Sequence, residues 1–421
     1  MRSTQFLILG GGITNLAFVA ALRSKDYLIL EALDDVGGYC RTVKQDGFVW
    51  DYSGHFFHFR HRDIESMFVE RIGAENVRRV VKSSKIFTRG SWVDFPFQKN
   101  IHQLPQPEFI ECLVDLFEKD DKPATNFKDM LFAKFGRGIS ERFLVPYNEK
   151  LYATDLSRLD VDAMGRFFPH ANLQEIISGF RAANNDSYNS TFTYPAGGAI
   201  EYVRAIQQDV VPEQLLLNTR VLEVDLQNKV ARTTAGDVAF EYLVSAAPFP
   251  RLTAMCGLET PPGLYTYNKV LVFNLGFDKK GPRNLHWVYY PDRDVVFYRI
   301  GFYDNIFDTE RMSLYVEIGY PSDAIVDDAT IDSMRQRVLD DLRRVGIIDA
   351  HQLVSHHSIV LDPAYVHITK DSVAAVAKTK EVLGTRGVYS IGRYGSWTYC
   401  SIEDNILEAR ALAERFNALT P

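Results

Sequence analysis

Gly10, Gly11, Gly12 and Glu31 have the types and spacing to hold a dinucleotide. Glycine lets backbone come close to a pyrophosphate, and the free N–H groups at a helix start attract the anion. An acid about 20 residues further on reaches a ribose hydroxyl. These residues need a strand, a turn and a helix to place them. Phe6, Leu7, Ile8 and Leu9 form an apolar run that reads as a buried strand, and Ile13, Leu16, Ala17, Ala20 and Ala21 then recur at helical spacing. Tyr27 to Leu30 is a second strand, and it ends in Glu31. Asn15 replaces the third glycine usual in such turns, at the position where helix and strand pack closely. The bland alternative is a structural strand–helix–strand unit with an incidental glycine turn.

Composition narrows the function classes. A chain of 421 residues has material for two or three lobes and a large core. The net charge of −7, with no basic run to offset it, argues against a nucleic-acid surface, so an anionic ligand must be met locally by arginines. Cys40, Cys112, Cys256 and Cys400 are scattered and lack any Cys-x-x-Cys spacing, as expected of reduced cysteines in a cytoplasmic protein. No stretch is long enough to span a membrane. His351, His356, His357 and His367 lack a metal-ligand spacing, and no metal is expected.

Along the chain, Gly54 and His55 sit between aromatics, where glycine lets backbone approach a planar ring. Residues 96–183 show helical spacing such as Phe109, Leu113, Leu116 and Phe117 and read as a helical insertion. Thr193 to Gly198 turns into a helix through Ile200, Val203 and Ile206; Leu215 to Asp225 alternates like one strand, and Leu243 to Ala247 ends another. Val270–Phe277, Trp287–Tyr290, Val295–Tyr303 and Ser313–Gly319 predict an antiparallel sheet, followed by a helix over Ile331–Val345. Gly387 to Gly395 is a strand and glycine turn that leads into a final amphipathic helix, whose N-terminus can face a site where negative charge gathers.

Gly37, Gly38, Arg41 and Thr42 follow the first unit in a Gly-Gly-x-x-x-Thr arrangement that resembles the FAD-binding start of amine-oxidase-like flavoproteins. The order of elements predicts an α/β fold, α+β overall. It comprises a discontinuous Rossmann-type FAD-binding domain (1–95, 184–258 and 380–421), a helical lobe (96–183) and an antiparallel β-sheet substrate domain (259–379). Further motifs are similar to the UDP-galactopyranose mutases, the eukaryotic-type branch in particular: Phe95-Pro96-Phe97-Gln98-x-Asn100, Pro146-Tyr147-Asn148-x-Lys150-x-Tyr152, Asn189-x-Thr191-Phe192-x-Tyr194-Pro195, and Gly392-Arg393-Tyr394-Gly395-x-Trp397-x-Tyr399. Tyr289-x-Pro291 with Phe297-Tyr298-Arg299 matches a mobile-loop region.

The resemblance implies a mutase that interconverts pyranose and furanose forms of a nucleotide sugar. Reduced FAD attacks the anomeric carbon through N5, with no net redox change. It implies that Arg299 and Arg393 brace the leaving diphosphate, which two guanidinium forks suit better than lysines. Tyr289, Tyr365 and Tyr399 would donate to phosphate, and Phe95 and Phe143 would sandwich the base. Gln98, Asn148 and Tyr152 complete the substrate set, while His55, Arg166 and Asn189 line the sugar and flavin edge. Gly10, Gly12, Ile13, Thr14, Glu31, Gly38, Arg41, Gly54, His55, Val221, Gly392, Arg393 and Asp404 would meet the cofactor. The resemblance leaves room for NAD(P)H as an external reductant and for a homo-oligomer. For Arg299 in an apolar strand, the alternative is a buried ion pair. Phe95, Tyr152 and Cys400 depart from the family residues, which leaves the sugar and the nucleotide open. Two other readings share the fold: a flavin oxidoreductase of the amine oxidase or protoporphyrinogen oxidase type, and a flavin-free binding module.

Overall fold

The computed structural model describes residues 1–119, 122–180 and 190–419. Asn189 lies outside them. Two large sheets share the chain, and the helical segment lies beside the second.

The first sheet runs in the order Val221–Asp225, Val230–Thr233, Val238–Ser245, Arg2–Leu9, Tyr27–Leu30, Leu215–Leu216, and Val388–Ser390 also pairs with Val238–Ser245. Its centre is parallel, with Phe6 opposite Tyr242 on one side and Tyr27 on the other. Parallel strands buried on both faces need apolar residues throughout, which explains why Phe6–Leu9 and Tyr27–Leu30 are unbroken apolar runs. Helices Ile13–Ala21 and Ile402–Leu419 cover one face, with Phe416 packed edge-on against Phe6.

Leu215 to Asp225 is not one strand. Leu215–Leu216 pairs with Tyr27–Leu30, whereas Val221–Asp225 lies at the opposite edge of the sheet. Asn218 turns the chain with a φ of 52°, and the N–H of Thr219 donates to the Glu31 carbonyl at 2.8 Å. Asparagine tolerates that left-handed conformation better than most residues, and alternation alone does not register such a break.

The second sheet has the order Leu353–Leu361, Asn268–Phe277, Ser313–Pro321, Arg299–Phe302, Trp287–Tyr289, Ser84–Thr88, Ser91–Asp94. Every pairing is antiparallel except that of Trp287–Tyr289 with Ser84–Thr88. The hairpin Ser84–Asp94 therefore joins this sheet, although in sequence it stands with the first lobe. Leu353–Leu361, which carries His356 and His357, is an edge strand paired with Asn268–Phe277. Val295–Tyr303 narrows to the strand Arg299–Phe302, and the preceding residues form an irregular hairpin loop.

Beside the second sheet, Gln106–Phe117, Phe127–Ile139, Val145–Tyr152 and Leu173–Gly179 form the helical segment. Its apolar faces close one core with Trp287, Tyr289 and Tyr315 from the second sheet and Tyr298 from the hairpin loop. Among the described residues no helix is long and apolar enough to cross a membrane.

Candidate active site

At the opening turn each glycine meets a different demand. Gly10 has a φ of 99°, which a side chain rarely adopts, and a Cβ on Gly11 would lie 2.8 Å from Val36 Cγ1. A Cβ on Gly12 would meet nothing within 4 Å, so open space stands in front of the helix Ile13–Ala21, whose start has no side-chain cap. Gly38 faces Gly12 across that space, its virtual Cβ 3.9 Å from Gly12 Cα. Asn15 explains its own presence: its Nδ2 donates to the carbonyls of Leu9 at 2.6 Å and Gly10 at 2.9 Å. It ties the turn to the strand end where glycine would only have allowed close packing.

Glu31 accepts from the N–H groups of Gly11 at 2.7 Å and Leu33 at 2.9 Å. A carboxylate has about four acceptor positions, so it retains capacity for ribose hydroxyls. Arg41 pairs with Asp34 at 2.6 Å beside this turn. Val221 opens the edge strand two residues beyond Thr219, which is bonded to Glu31. The closing turn packs onto the opening one, since a Cβ on Gly392 would fall 2.8 Å from Thr14 Oγ1.

Next to this cleft a cavity is walled by Gly54, His55, Phe95, Phe143, Asn148, Arg166, Tyr289, Arg299, Tyr365, Arg393 and Tyr399, together with residues the sequence reading did not select: Tyr147, Phe168, Trp287, Arg60 and Glu403. Tyr289 and Arg299 are register partners in adjacent strands, which puts both on one face of the sheet. Phe95 lies 4.9 Å from Tyr289, and Phe143 stacks with both Phe97 and Tyr147. Tyr365 and Tyr399 stack with ring centroids 5.9 Å apart, and the Arg393 guanidinium lies 5.2 Å from the first and 4.6 Å from the second. The ring that approaches Gly54 belongs to the protein: a Cβ there would lie 2.0 Å from Tyr315 Oη, and one on Gly301 would clash with the same side chain.

The two arginines differ electrostatically. Arg299 is held by buried Glu317, with Nε and Nη2 each 2.6 Å from Oε2, while the other carboxylate oxygen accepts from Ser53. The buried ion pair and the place on the cavity wall are therefore both true of Arg299. Arg393 makes no ion pair among the described residues. Its Nη2 donates to the Ala364 carbonyl at 3.4 Å, and its Nε is buried without a partner. A half-buried cation with a buried, unused donor is an anion site in waiting. Burial pushes the Tyr289 and Tyr365 hydroxyls above their usual range, so both remain protonated donors. Burial also pushes His55 down to about 4, leaving a neutral imidazole whose Nδ1 has no partner. Near Phe95 and Trp287, burial and the charge of Arg299 lower Lys82 to about 7.

Three expected residues stand behind the wall or at its rim. Gln98 turns its Nε2 to the Pro169 carbonyl, and Tyr152 is buried with its ring 5.9 Å from that of Tyr365. Asp404 joins Arg60, at 3.2 Å, to Arg166 and accepts from the Ser401 N–H at 2.8 Å. Asn148 lines the cavity with its Nδ2 on the Leu144 carbonyl at 2.6 Å and its Oδ1 unpartnered. Glu317 was legible only as one polar residue in an apolar strand, and Tyr147 only as part of the Pro-Tyr-Asn string.

Comparison with known proteins decides the family. Residues 21–416 match the profile of the flavin-containing amine oxidoreductases. The chain belongs to this family. Among solved structures, the flavoprotein is similar to a reduced UDP-galactopyranose mutase at 23% identity and a TM-score of 0.90, over 100% of this chain and 95% of the other. It is similar to a protein provisionally assigned as a protoporphyrinogen oxidase from Exiguobacterium at 18% identity and 0.79, over all of both chains. A fatty acid isomerase from P. acnes follows at 15% and 0.67, over 98% of each. At these identities the likeness is one of fold. The residues of this flavoprotein fit a dinucleotide flavin: an open glycine turn, an uncapped helix start, a carboxylate with spare acceptor positions, and the unpartnered His55 Nδ1 on the cavity wall.

Proposed function

We propose that this flavoprotein is a nucleotide-sugar mutase, interconverting pyranose and furanose forms of a nucleoside-diphosphate hexose of the UDP-galactose type without net redox change. The observation that carries the reading is Arg393, a half-buried guanidinium with a buried, unused Nε and no carboxylate partner among the described residues, on the same wall as Arg299 and three tyrosines. An oxidoreductase acting on an apolar or amine substrate gains nothing from an uncompensated cation there. The fold likeness to a UDP-galactopyranose mutase supports it as well.

On this reading FAD lies along the glycine turn, with Gly10, Gly12, Ile13 and Thr14 at its pyrophosphate, Glu31 at the ribose, Gly38 and Arg41 alongside and Val221 towards the adenine. His55, Gly392 and Asp404 border the ring system. When bound and reduced, the flavin supplies a nucleophilic nitrogen for the anomeric carbon. The protein binds, orients and neutralises. Arg299 and Arg393 brace the diphosphate, and Tyr289, Tyr365 and Tyr399 donate to its oxygens. Phe95 and Phe143 flank the base, with Asn148 Oδ1 free to accept from its edge and Gln98 and Tyr152 supporting from behind. Arg166 borders the sugar, and neutral His55 keeps a further positive charge away from the anomeric centre.

The test is an anaerobic assay of the chemically reduced protein against a panel of nucleotide sugars. Ring-contracted or ring-expanded product should accumulate without stoichiometric loss of reductant. Oxygen uptake in step with a substrate's disappearance would instead favour the oxidoreductase reading, to which the family match lends weight.

A further inference from the structure

The geometry points to Lys150 as the positioning residue that holds Arg299 and Tyr289 at the spacing an anionic ligand needs, an inference that rests on the diphosphate reading of Arg299. Lys150 lies on Val145–Tyr152, the helix that contributes Tyr147 and Asn148 to the cavity wall. Its ammonium leaves that helix and enters the hairpin loop between Tyr289 and Arg299, where Nζ donates to the carbonyls of Tyr290 at 2.8 Å, Asp292 at 3.0 Å and Phe297 at 2.5 Å.

Those three acceptors use all three donors of an ammonium. They also lie on both arms of the loop. Tyr290 follows Tyr289 directly, and Phe297 stands two residues before Arg299, so the hairpin base that carries both cavity residues is clamped from one point. Irregular loop carbonyls have no ladder partners, and a buried one left without a donor is costly. These bonds fasten the segment to the cavity wall in this structure.

A second contact fixes the other side of the joint. A Cβ on Gly319 would fall 2.3 Å from the Lys150 carbonyl, so the helix end seats directly on the strand Ser313–Pro321. That strand carries Glu317, the register partner and ion-pair partner of Arg299. Lys150 thus reaches Arg299 along two routes, through the loop by its side chain and through the Glu317 strand by its backbone. Only the side-chain route is removed by substitution. An outer pair, Arg293 with Glu149, also ties the loop to the helix, but Arg293 is largely exposed and such pairs contribute little.

The test is a double-mutant cycle read by calorimetric titration of UDP into the purified, flavin-containing full-length chain. Lys150→Met keeps the stem and removes the donors. If Lys150 acts through Arg299, it should weaken UDP binding about tenfold alone and less than about twofold in an Arg299→Lys background, because coupled residues are not additive. A merely structural role would lower affinity equally in both backgrounds, and that result, or no loss in either, overturns the proposal. Should Lys150→Met fail to fold, Lys150→Gln retains two N–H donors and should show the same pattern with a smaller loss. UDP binding without turnover of any nucleotide sugar would remove the mutase reading and leave Lys150 standing. Absence of UDP binding to the unaltered chain would overturn both.

Discussion

Removing either cavity arginine should weaken diphosphate binding, yet only one removal should unfold the protein more easily. Arg299→Met strands Glu317, whose side chain is 2% exposed and whose Oε2 loses both contacts at 2.6 Å. Breaking a buried pair by deleting one partner costs about 3–5 kcal/mol, since the remaining charge stays buried. Arg393→Met strands no carboxylate. It loses a 3.4 Å hydrogen bond and its contacts with Tyr365 and Tyr399, and it also relieves a half-buried cation that has no acid partner among the described residues. These effects offset each other to within about 1 kcal/mol. With an unfolding entropy of about 2.1 cal/mol/K per residue over 421 residues, 1 °C corresponds to about 0.9 kcal/mol. Arg299→Met should therefore lower Tm by about 3–6 °C and Arg393→Met by about 1 °C or less. Both should weaken UDP binding about 10- to 100-fold, the effect of losing a charge-assisted hydrogen bond of about 1.5–3 kcal/mol. Arg299→Met with Glu317→Gln should recover most of the stability and none of the affinity. Calorimetric melting with and without UDP measures all of this in one series. Equal Tm losses in the two single variants, or unchanged UDP affinity in Arg393→Met, would refute the division between a paired and an unpaired arginine.

Asn15→Gly restores the glycine usual in dinucleotide turns, but it deletes the two bonds to the Leu9 and Gly10 carbonyls. It should destabilise the chain by about 1–3 kcal/mol and increase flavin loss on dialysis, where a simple packing account predicts improvement. A pH-dependent contribution comes from His286, whose pKa burial lowers to about 4 and whose Nδ1 accepts from the Ser83 N–H at 3.0 Å. Between pH 6.5 and 4 the unfolded imidazole takes up a proton that the folded one refuses, so this contribution falls as pH falls through that window. Tm in His286→Phe should decline less steeply from pH 6.5 to 4 than in the unaltered chain, and parallel profiles would exclude the effect.

Much of the candidate site was legible because its parts are local strings. The turn from Gly10 to Gly12 with Glu31 declares itself by type and spacing, and Gly392 to Tyr399 by a strand that ends in glycine. Resemblance to a known family picked out Arg299, Arg393, Tyr289, Tyr365 and Tyr399, all of which face one cavity. Legibility stopped where a residue's role depends on its neighbour across a sheet. Alternation tells which side of a strand a residue occupies but not which strand lies alongside. Ser84–Asp94 thus joins a sheet whose other strands lie some 200 residues later, through a parallel pairing with Trp287–Tyr289. The continuous pattern from Leu215 to Asp225 likewise hid a turn at Asn218 that sends its two halves to opposite edges.

Residue type and short-range periodicity, then, were enough to give the kind of protein: an opening strand, glycine turn and helix, a helical segment, an aromatic antiparallel sheet and arginines in apolar surroundings. Tertiary structure alone decided how those arginines behave. Glu317 neutralises Arg299 because two strands pair in one register, and Arg393 stays unpaired because the closing turn packs against Thr14 and faces tyrosines rather than acids. Lys150 becomes a clamp for the same reason: three carbonyls far along the chain converge on one ammonium. Charge and hydrogen-bonding capacity belong to the residue type, but whether they are satisfied depends on distance in space, which separation along the chain does not report.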